Sequence, residues 1–409
     1  LSVNNVTSEI FVNKQRVSNN FVLTETGDYS IELESIDNAE NIEQDNYEVI
    51  IDKIAPTIEG VEKGSVYYES VTPIVKDNDI EGVISCANDF GVLTAAYVAE
   101  QMGWPGHDKY EIAKLLHHKN LFKQYVYKHN IPAPHSYCPE DKADALNYIK
   151  QIEYPIIVKA NDLTGGKGIR RANTYEEAVE AVDYSYEKSR DKHIVIEPFV
   201  IGTQHTYVTF LINKKVYVST SCNCYSPINP YLIQSETLPA DCIERVEPEL
   251  KMIIENMAED LNLVDGIIAL QYIMKDGKPY IIETMRRAFG NQFLMLADKT
   301  TGFPWEEAYI KAALGESCDR LEFTDIEYKY CGHHGIMAPH NGKIRRYEID
   351  NSISPHIFKK IDMLGENGAI NDYLNERIAY IYYQYENKEE MINAVKNYNN
   401  NIKVIFADE

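Results

Sequence analysis

The sequence predicts an α+β protein with an all-β segment in front of it. Three observations carry that prediction. Short stretches that alternate apolar and polar residues fill residues 1–79, helical and extended patterns alternate from residue 80 onward, and two late apolar strands are joined by a tight turn.

In the first segment the alternation marks strands at residues 9–12, 21–24, 29–33 and 47–51, with Gly27-Asp28 and Asp37-Asn38 as turns, which is a sandwich pattern. Gly27-Asp28-Tyr29-Ser30-Ile31, then Ile36-Asp37-Asn38-Ala39, then Asp52-Lys53-Ile54-Ala55-Pro56-Thr57-Ile58 resembles a bacterial immunoglobulin-like repeat. The resemblance implies that residues 1–54 are the later half of one repeat and residues 55–79 the opening of the next.

Near Ile80 the pattern changes. Gly82-Val83-Ile84-Ser85-Cys86 is expected as a buried parallel-type strand, followed by a helix at residues 91–102 that ends at Gly103. A fusion junction is expected at residues 76–80. Further on, helices are predicted at residues 111–129 and 142–152 and a strand at residues 155–159. After residue 320, strands at 330–337 and 343–347 precede a helix at 389–398 and a strand at 403–406.

The 409 residues exceed what one core usually serves, so two to four domains are expected. No apolar run approaches the length that spans a bilayer. Net charge is −23, with 40 Lys+Arg against 63 Asp+Glu, so the averaged field repels phosphate backbones and anionic lipid. Neither nucleic acid nor a membrane is an expected partner. Seven scattered cysteines do not form the framework of a small disulfide scaffold, and a reducing cytoplasm fits them better. Cys222 and Cys224 form a C-x-C, but no second pair stands at zinc spacing, so metal is not expected there.

The chemistry lies in an ordered set of motifs. Ile156-Ile157-Val158-Lys159 is an apolar strand that ends in a lysine, and Thr164-Gly165-Gly166-Lys167-Gly168 follows it. Glycines let backbone N–H groups approach an anion, and Lys167 adds a charge that moves with the loop. The spacing matches neither Walker A nor a dinucleotide-binding fingerprint. Next comes Ile194-Val195-Ile196-Glu197-Pro198-Phe199-Val200-Ile201-Gly202. A charge closing an apolar strand, as at Lys159 and Glu197, is unfavourable without a partner of opposite sign. The second half is Gly266-Ile267-Ile268-Ala269-Leu270-Gln271-Tyr272, the turn Lys275-Asp276-Gly277-Lys278, and Pro279-Tyr280-Ile281-Ile282-Glu283-Thr284-Met285-Arg286-Arg287. Gln271 and Glu283 then stand on neighbouring strands and can share one ion. Magnesium suits such a pair, since it takes oxygen ligands and needs only one or two from protein.

This order of motifs resembles the ATP-grasp superfamily, most closely its carbamoyl phosphate synthetase-like branch, over residues 119–316. The resemblance implies two α+β lobes that clasp a nucleotide, in segments 113–192 and 193–320, with a C-terminal α+β extension at 321–409. Residues 80–112 resemble a truncated remnant of the doubly wound α/β domain that usually precedes such a core. By resemblance Lys119 and Lys159 contact phosphate, and the loop of Gly165, Gly166, Lys167 and Gly168 covers the β and γ phosphates. Glu197, Pro198, Phe199 and Val200 line the adenine slot. Gln204 stands at the ribose-contacting position, where the family has an acid.

Gln271 and Glu283 are the implied magnesium ligands, with Mn2+ as an alternative ion. The family's Glu-x-Asn-x-Arg becomes Glu283-Thr284-Met285-Arg286-Arg287, and a thioether is a poor partner for a hard cation. Asn291 is the candidate replacement. Arg287 matches the arginine that stabilises the transferring phosphoryl group, and Arg286 is a candidate fork for a substrate carboxylate.

The implied reaction spends ATP to activate a small carboxylate as an acyl phosphate and couples it to an amine. Two alternatives are an enzyme that phosphorylates bicarbonate or carbamate, and a catalytically impaired nucleotide-binding or interaction protein. A homodimer is compatible with either. Residues 221–234, rich in amide, hydroxyl and aromatic groups, are expected to face substrate. His333, His334 and His340 are expected to be structural or surface histidines, and Tyr380, Tyr382 and Tyr383 to be core.

Overall fold

The computed structural model describes residues 7–18, 27–36, 42–51, 57–59, 74–76, 82–86, 89–364 and 368–407. The chain separates into two compact units, Leu1–Ile80 and Glu81–Glu409.

In the first unit β1 (Thr7–Val12), β2 (Gln15–Val17), β3 (Gly27–Ile36) and β4 (Ile42–Ile51) form one antiparallel sheet in the order β2-β1-β3-β4. Two short strands, β5 (Thr57–Glu59) and β6 (Ile74–Lys76), form a second antiparallel ladder. The unit is all β. Its first hairpin turns at Asn13-Lys14, both at positive φ, and Asn13 Oδ1 accepts from the Ser30 N–H at 2.9 Å. Gly27-Asp28 is not a turn but the start of β3, paired with Ile51 and Ile50. The strand expected at residues 21–24, the turn at Asp37-Asn38 and the 77–80 junction lie outside the described residues.

The second unit opens with residues 82–86, which are extended but do not form the expected strand. Within residues 82–86 only Cys86 makes a bridge, parallel to Ala288, and Ile84 is exposed. Helix α1 (Asp89–Met102) follows and ends at Gly103 with φ +69. The single helix expected at residues 111–129 is two, α2 (Tyr110–His117) and α3 (Lys119–Lys128), broken at His118. The cause is tertiary. Asn161 takes the first amides of α3, its carbonyl accepting from the Lys119 N–H and its Oδ1 from the Asn120 N–H.

Helix α4 (Lys142–Tyr148) is capped by Asp141 and stops four residues before the expected end. Strands β7 (Ile156–Ala160) and β8 (Ile169–Ala172), helix α5 (Tyr175–Lys188) and strand β9 (Ile194–Pro198) complete a three-stranded sheet in the order β8-β7-β9. Thr174 caps α5 by accepting from the Glu177 N–H, the start of a capping-box sequence. Ala145, Ile149, Ala178, Ala181 and Val182 cover the apolar face of this sheet.

The larger sheet has eight strands. Introduced in chain order they are β10 (Thr203–Ile212), β11 (Lys215–Tyr225), β12 (Ser235–Leu238), β13 (Gly266–Lys275), β14 (Lys278–Met285), β15 (Tyr330–Ile336), and then β17 (Ile357–Asp362) and β19 (Ala379–Tyr385). Between these last come β16 (Gly342–Ile349) and β18 (Ala369–Ile370) of a small side sheet, closed by β20 (Ile402–Phe406). The order in the large sheet is β14-β13-β10-β11-β12-β15-β19-β17, so the residues after 320 extend the same sheet. Helix α6 (Ile243–Asp260), with α2 and α3, packs on one face; α7 (Phe293–Thr301) and α8 (Trp305–Ala313) pack on the other. The helix expected at 389–398 is α9 (Lys388–Val395) and the short α10 (Tyr398–Asn401). Tyr382 and Tyr383 are fully buried core residues. Among the described residues no helix is long and apolar enough to cross a membrane.

Candidate active site

The small sheet brings two charges together across an antiparallel pair. Glu197 of β9 pairs with Ile157 and Lys159 of β7 with Val195, so the two are diagonal neighbours, and their side chains meet at 2.7 Å (Nζ to Oε2). The other oxygen of Glu197 is held by Lys123 Nζ at 2.9 Å and by the Ser136 hydroxyl. Burial alone would raise the Glu197 carboxyl, but Lys123 and Lys159 overcome it and hold the pKa down to about 2. The Glu197 side chain is therefore engaged by Lys123, Lys159 and Ser136, while Pro198 at the end of β9 is exposed and Phe199 half-buried.

Lys123 was not singled out in the sequence. It is 1 % exposed, one turn along α3 from Lys119, and also donates to the Ile281 carbonyl of the large sheet at 3.3 Å. One ammonium thus ties both sheets to α3.

Lys119 is first in α3 because the helix restarts there. Its Nζ donates to the Leu163 carbonyl at 2.5 Å, its one hydrogen bond among the described residues, although the side chain is buried. Burial pushes the ammonium pKa down, with Glu283 opposing and Lys159 adding to the fall. A buried ammonium with two unused donors, beside a second lysine, suits an anion.

The glycine loop runs over this point. Gly165, Gly166 and Gly168 have φ of +64, +76 and +67. At Gly166 the conformation is needed for space as well, since a Cβ would stand 2.5 Å from the Tyr231 carbonyl oxygen. Lys167 is exposed at the tip. Tyr231, within the 221–234 segment, closes on the same loop, its hydroxyl accepting from the Arg171 N–H at 2.7 Å.

Across the large sheet, register places a polar stripe on one face. Glu283 faces Gln271, Gln271 faces Thr206, and Thr206 faces Cys222; two residues along, Gln204 faces Cys224, Cys224 faces Glu236, and Glu236 faces His333. Gln204 Nε2 also reaches Gln271 Oε1 at 3.4 Å. The Gln271–Glu283 pairing rests on a two-residue hairpin in which Asp276 and Gly277 both have positive φ.

Two sequence candidates have other jobs. Arg286 is a structural clamp and not a substrate fork: Nε and Nη2 grip the Asp108 carboxylate at 2.7 and 3.1 Å, while Nη1 and Nη2 donate to the Ile267 and Val264 carbonyls. Asn291 does not join Gln271 and Glu283 but donates to Glu236 Oε2 at 2.8 Å and lies 2.7 Å from His333 Nε2. Met285 is a core residue packed with Ala269 and Phe293. Arg287 is held in a fork by Asp89 at the start of α1, at 2.6 and 2.8 Å. Burial would raise the Asp89 carboxyl, but Arg287, His117 and the Thr164 hydroxyl of the glycine loop hold it below its usual range.

His334 is a buried structural histidine bonded to the Ser235 hydroxyl, and His340 stacks on Phe406 at the surface. His333 is also a buried structural histidine, paired with Glu236 at 2.6 Å. Burial pushes the Cys222 thiol well up, which removes it as a nucleophile.

Two sheets with helices on them, buried lysines at one, the opposed Gln271 and Glu283 on the other and a positive-φ glycine loop between two strands define the ATP-grasp class. Residues 118–321 match the family described as "Carbamoyl-phosphate synthase L chain, ATP binding domain", and the chain carries an ATP-grasp domain of that family. Solved structures agree. Phosphoribosylglycinamide synthetase from Anaerococcus prevotii superposes with a TM-score of 0.60 at 19% identity, over 80% of this chain and 83% of that one. L-amino acid ligase from Bacillus licheniformis gives 0.67 at 17%, over 80% of each. The biotin carboxylase domain of 2-oxoglutarate carboxylase from Hydrogenobacter thermophilus, solved with MgADP, ADP and bicarbonate, gives 0.60 at 18%, over 76% of this chain and 72% of that one. At these identities the likeness is one of fold.

Proposed function

We propose that this chain is an ATP-dependent ligase that activates a small carboxylate as an acyl phosphate and joins it to an amine. The observation that carries the reading is the buried Lys119, whose Nζ makes one hydrogen bond among the described residues, on the same helix as Lys123, which joins Glu197 and Lys159 of the small sheet to Ile281 of the large one. The solved relatives include an L-amino acid ligase, which supports amide formation, and a carboxylase domain with bicarbonate, which makes bicarbonate the rival acceptor.

In this reading Lys119, Lys159 and the amides of the glycine loop hold the phosphates, and the 198–200 backbone receives adenine. Gln271 and Glu283 fit one magnesium ion: both offer oxygen and they stand directly opposite, while Met285 is packed in the core. Bound there, the ion would neutralise phosphate charge. A carboxylate oxygen attacks the γ-phosphorus as ADP leaves; the amine then attacks the acyl carbon and expels phosphate. The protein's share is positioning and charge, and Arg287, already oriented by Asp89, is the residue proposed to steady the transferring group.

The test is ADP release over pooled amino acids and small acids, with bicarbonate as a separate arm. Lys159→Ala and Glu283→Ala should each lower turnover by about 100-fold or more. Equal ADP formation in wild type and variants would sink the site assignment. ATP binding without turnover on any substrate would leave a nucleotide-binding protein.

A further inference from the structure

The far end of the polar stripe holds a donor set that ATP chemistry does not use. Cys222 and Cys224 are two residues apart on β11 and so share a face, and Glu236 lies directly opposite Cys224 on β12. The two Sγ atoms are 3.9 Å apart, and Glu236 Oε1 lies 3.3 Å from Cys222 Sγ and 3.8 Å from Cys224 Sγ. Among the described residues these three form the one group whose His, Cys, Asp or Glu ligand atoms converge to metal-binding distance.

The triangle has the size of one face of a zinc tetrahedron. With Zn–S of about 2.3 Å and Zn–O of about 2.0–2.2 Å, tetrahedral angles give S···S of about 3.8 Å and S···O of about 3.5–3.7 Å. The carboxylate is also oriented for the task. Oε2 is held by Asn291 Nδ2 at 2.8 Å and His333 Nε2 at 2.6 Å, which leaves Oε1 turned to the thiols. Metal-ligating carboxylates are commonly fixed by such outer partners. As mere packing the cluster is costly: thiols are weak donors, and a buried carboxylate serves stability less well than apolar side chains of the same volume.

We infer that Cys222, Cys224 and Glu236 bind a thiophilic divalent cation, Zn2+ in the first instance, with His333 and Asn291 anchoring Glu236. Three protein ligands leave a fourth position, beside Thr206 Oγ1 at 3.4 Å from Cys224 Sγ, for water or a small ligand. Zinc displaces the two thiol protons on binding, so both sulfurs enter as thiolates. The site is separate from the magnesium pair, because Gln271 lies on β13 and β10 intervenes before β11.

The experiment is a cobalt titration of the reduced, chelator-stripped protein. The expected result is a thiolate-to-cobalt charge-transfer band in the near ultraviolet with tetrahedral visible bands, saturating at one ion per chain and erased by equimolar Zn2+. Cys224→Ser should weaken binding by about 100-fold or more and His333→Ala by about 10–100-fold, while Glu283→Ala keeps the spectrum. The wild-type spectrum needs no variant and so is immune to folding failure. An octahedral spectrum without charge transfer, no band at all, or unchanged binding in Cys224→Ser at unchanged melting temperature would overturn the inference.

Discussion

The two ends of the polar stripe were assembled by different means. At the end proposed to face a nucleotide, Gln271 and Glu283 come from one hairpin, and Lys159, the glycine loop and Glu197 of the small sheet lie within 39 residues of one another in the chain. At the other end, Cys222, Glu236, Asn291 and His333 come from four separate segments and meet only through strand register and a loop. Local order makes the first end readable; pairing that is remote in sequence hides the second.

The sharpest way to break the first end is to remove Glu197. Its carboxylate neutralises Lys123 and Lys159, and Lys123 has no exposed surface into which to relax. Glu197→Ala should cost on the order of 5 kcal/mol, visible as a fall in the urea midpoint, because it strands buried ammonium groups. The same change should loosen α3 from both sheets, since Lys123 bridges Glu197 and Ile281. A variant as stable as wild type would show that the triad is not a structural keystone.

Next in size is the pH dependence of that anchor. The folded Glu197 pKa is depressed from 4.5 to about 2, so its stabilisation is complete above the unfolded value and is lost as pH falls from 4.5 toward 2. The full span is about 3 kcal/mol, with more than half gone by about pH 3. Glu197→Gln should flatten that part of a stability-against-pH curve. An unaltered slope would mean other carboxylates carry the acid lability.

The same contrast explains what sequence reading reached. The helix at 91–102, the strand and glycine loop at 155–168 and the 266–285 hairpin were legible, because Gly103, Gly165-Gly166 and Asp276-Gly277 are local signals of a helix end, a phosphate-type loop and a tight turn, whereas β8 after the glycines was not. The break at His118 was not, for no glycine or proline marks it and Asn161 imposes it from forty residues away in the chain. Lys123 was equally hidden, since a lysine one helical turn after another looks solvated until the sheets close over it. Arg286 and Asn291 resembled ligands by position alone, and their partners Asp108, Glu236 and His333 stand too far off in sequence to have revealed their work. For the zinc triad the C-x-C was visible and the carboxylate that completes it was not.

The smallest effect probes the segment that touches both ends. Residues 226–234 connect β11, which carries the two cysteines, to β12, which carries Glu236, and Tyr231 of that segment lies against Gly166 with its carbonyl and holds β8, the strand that leaves the glycine loop, through its hydroxyl contact with the Arg171 amide. Tyr231→Phe removes one hydrogen bond at an exposed amide that water can satisfy, so the melting temperature should hold. What changes is the bias of the loop toward its closed position, worth about 1 kcal/mol, or roughly a fivefold rise in KM for ATP. Cobalt affinity at Cys222 and Cys224 should stay constant in this variant, because the hydroxyl makes no contact with the triad. A parallel loss of cobalt and ATP affinity would instead make the segment a physical link between the two ends, and the separation drawn between them would fail.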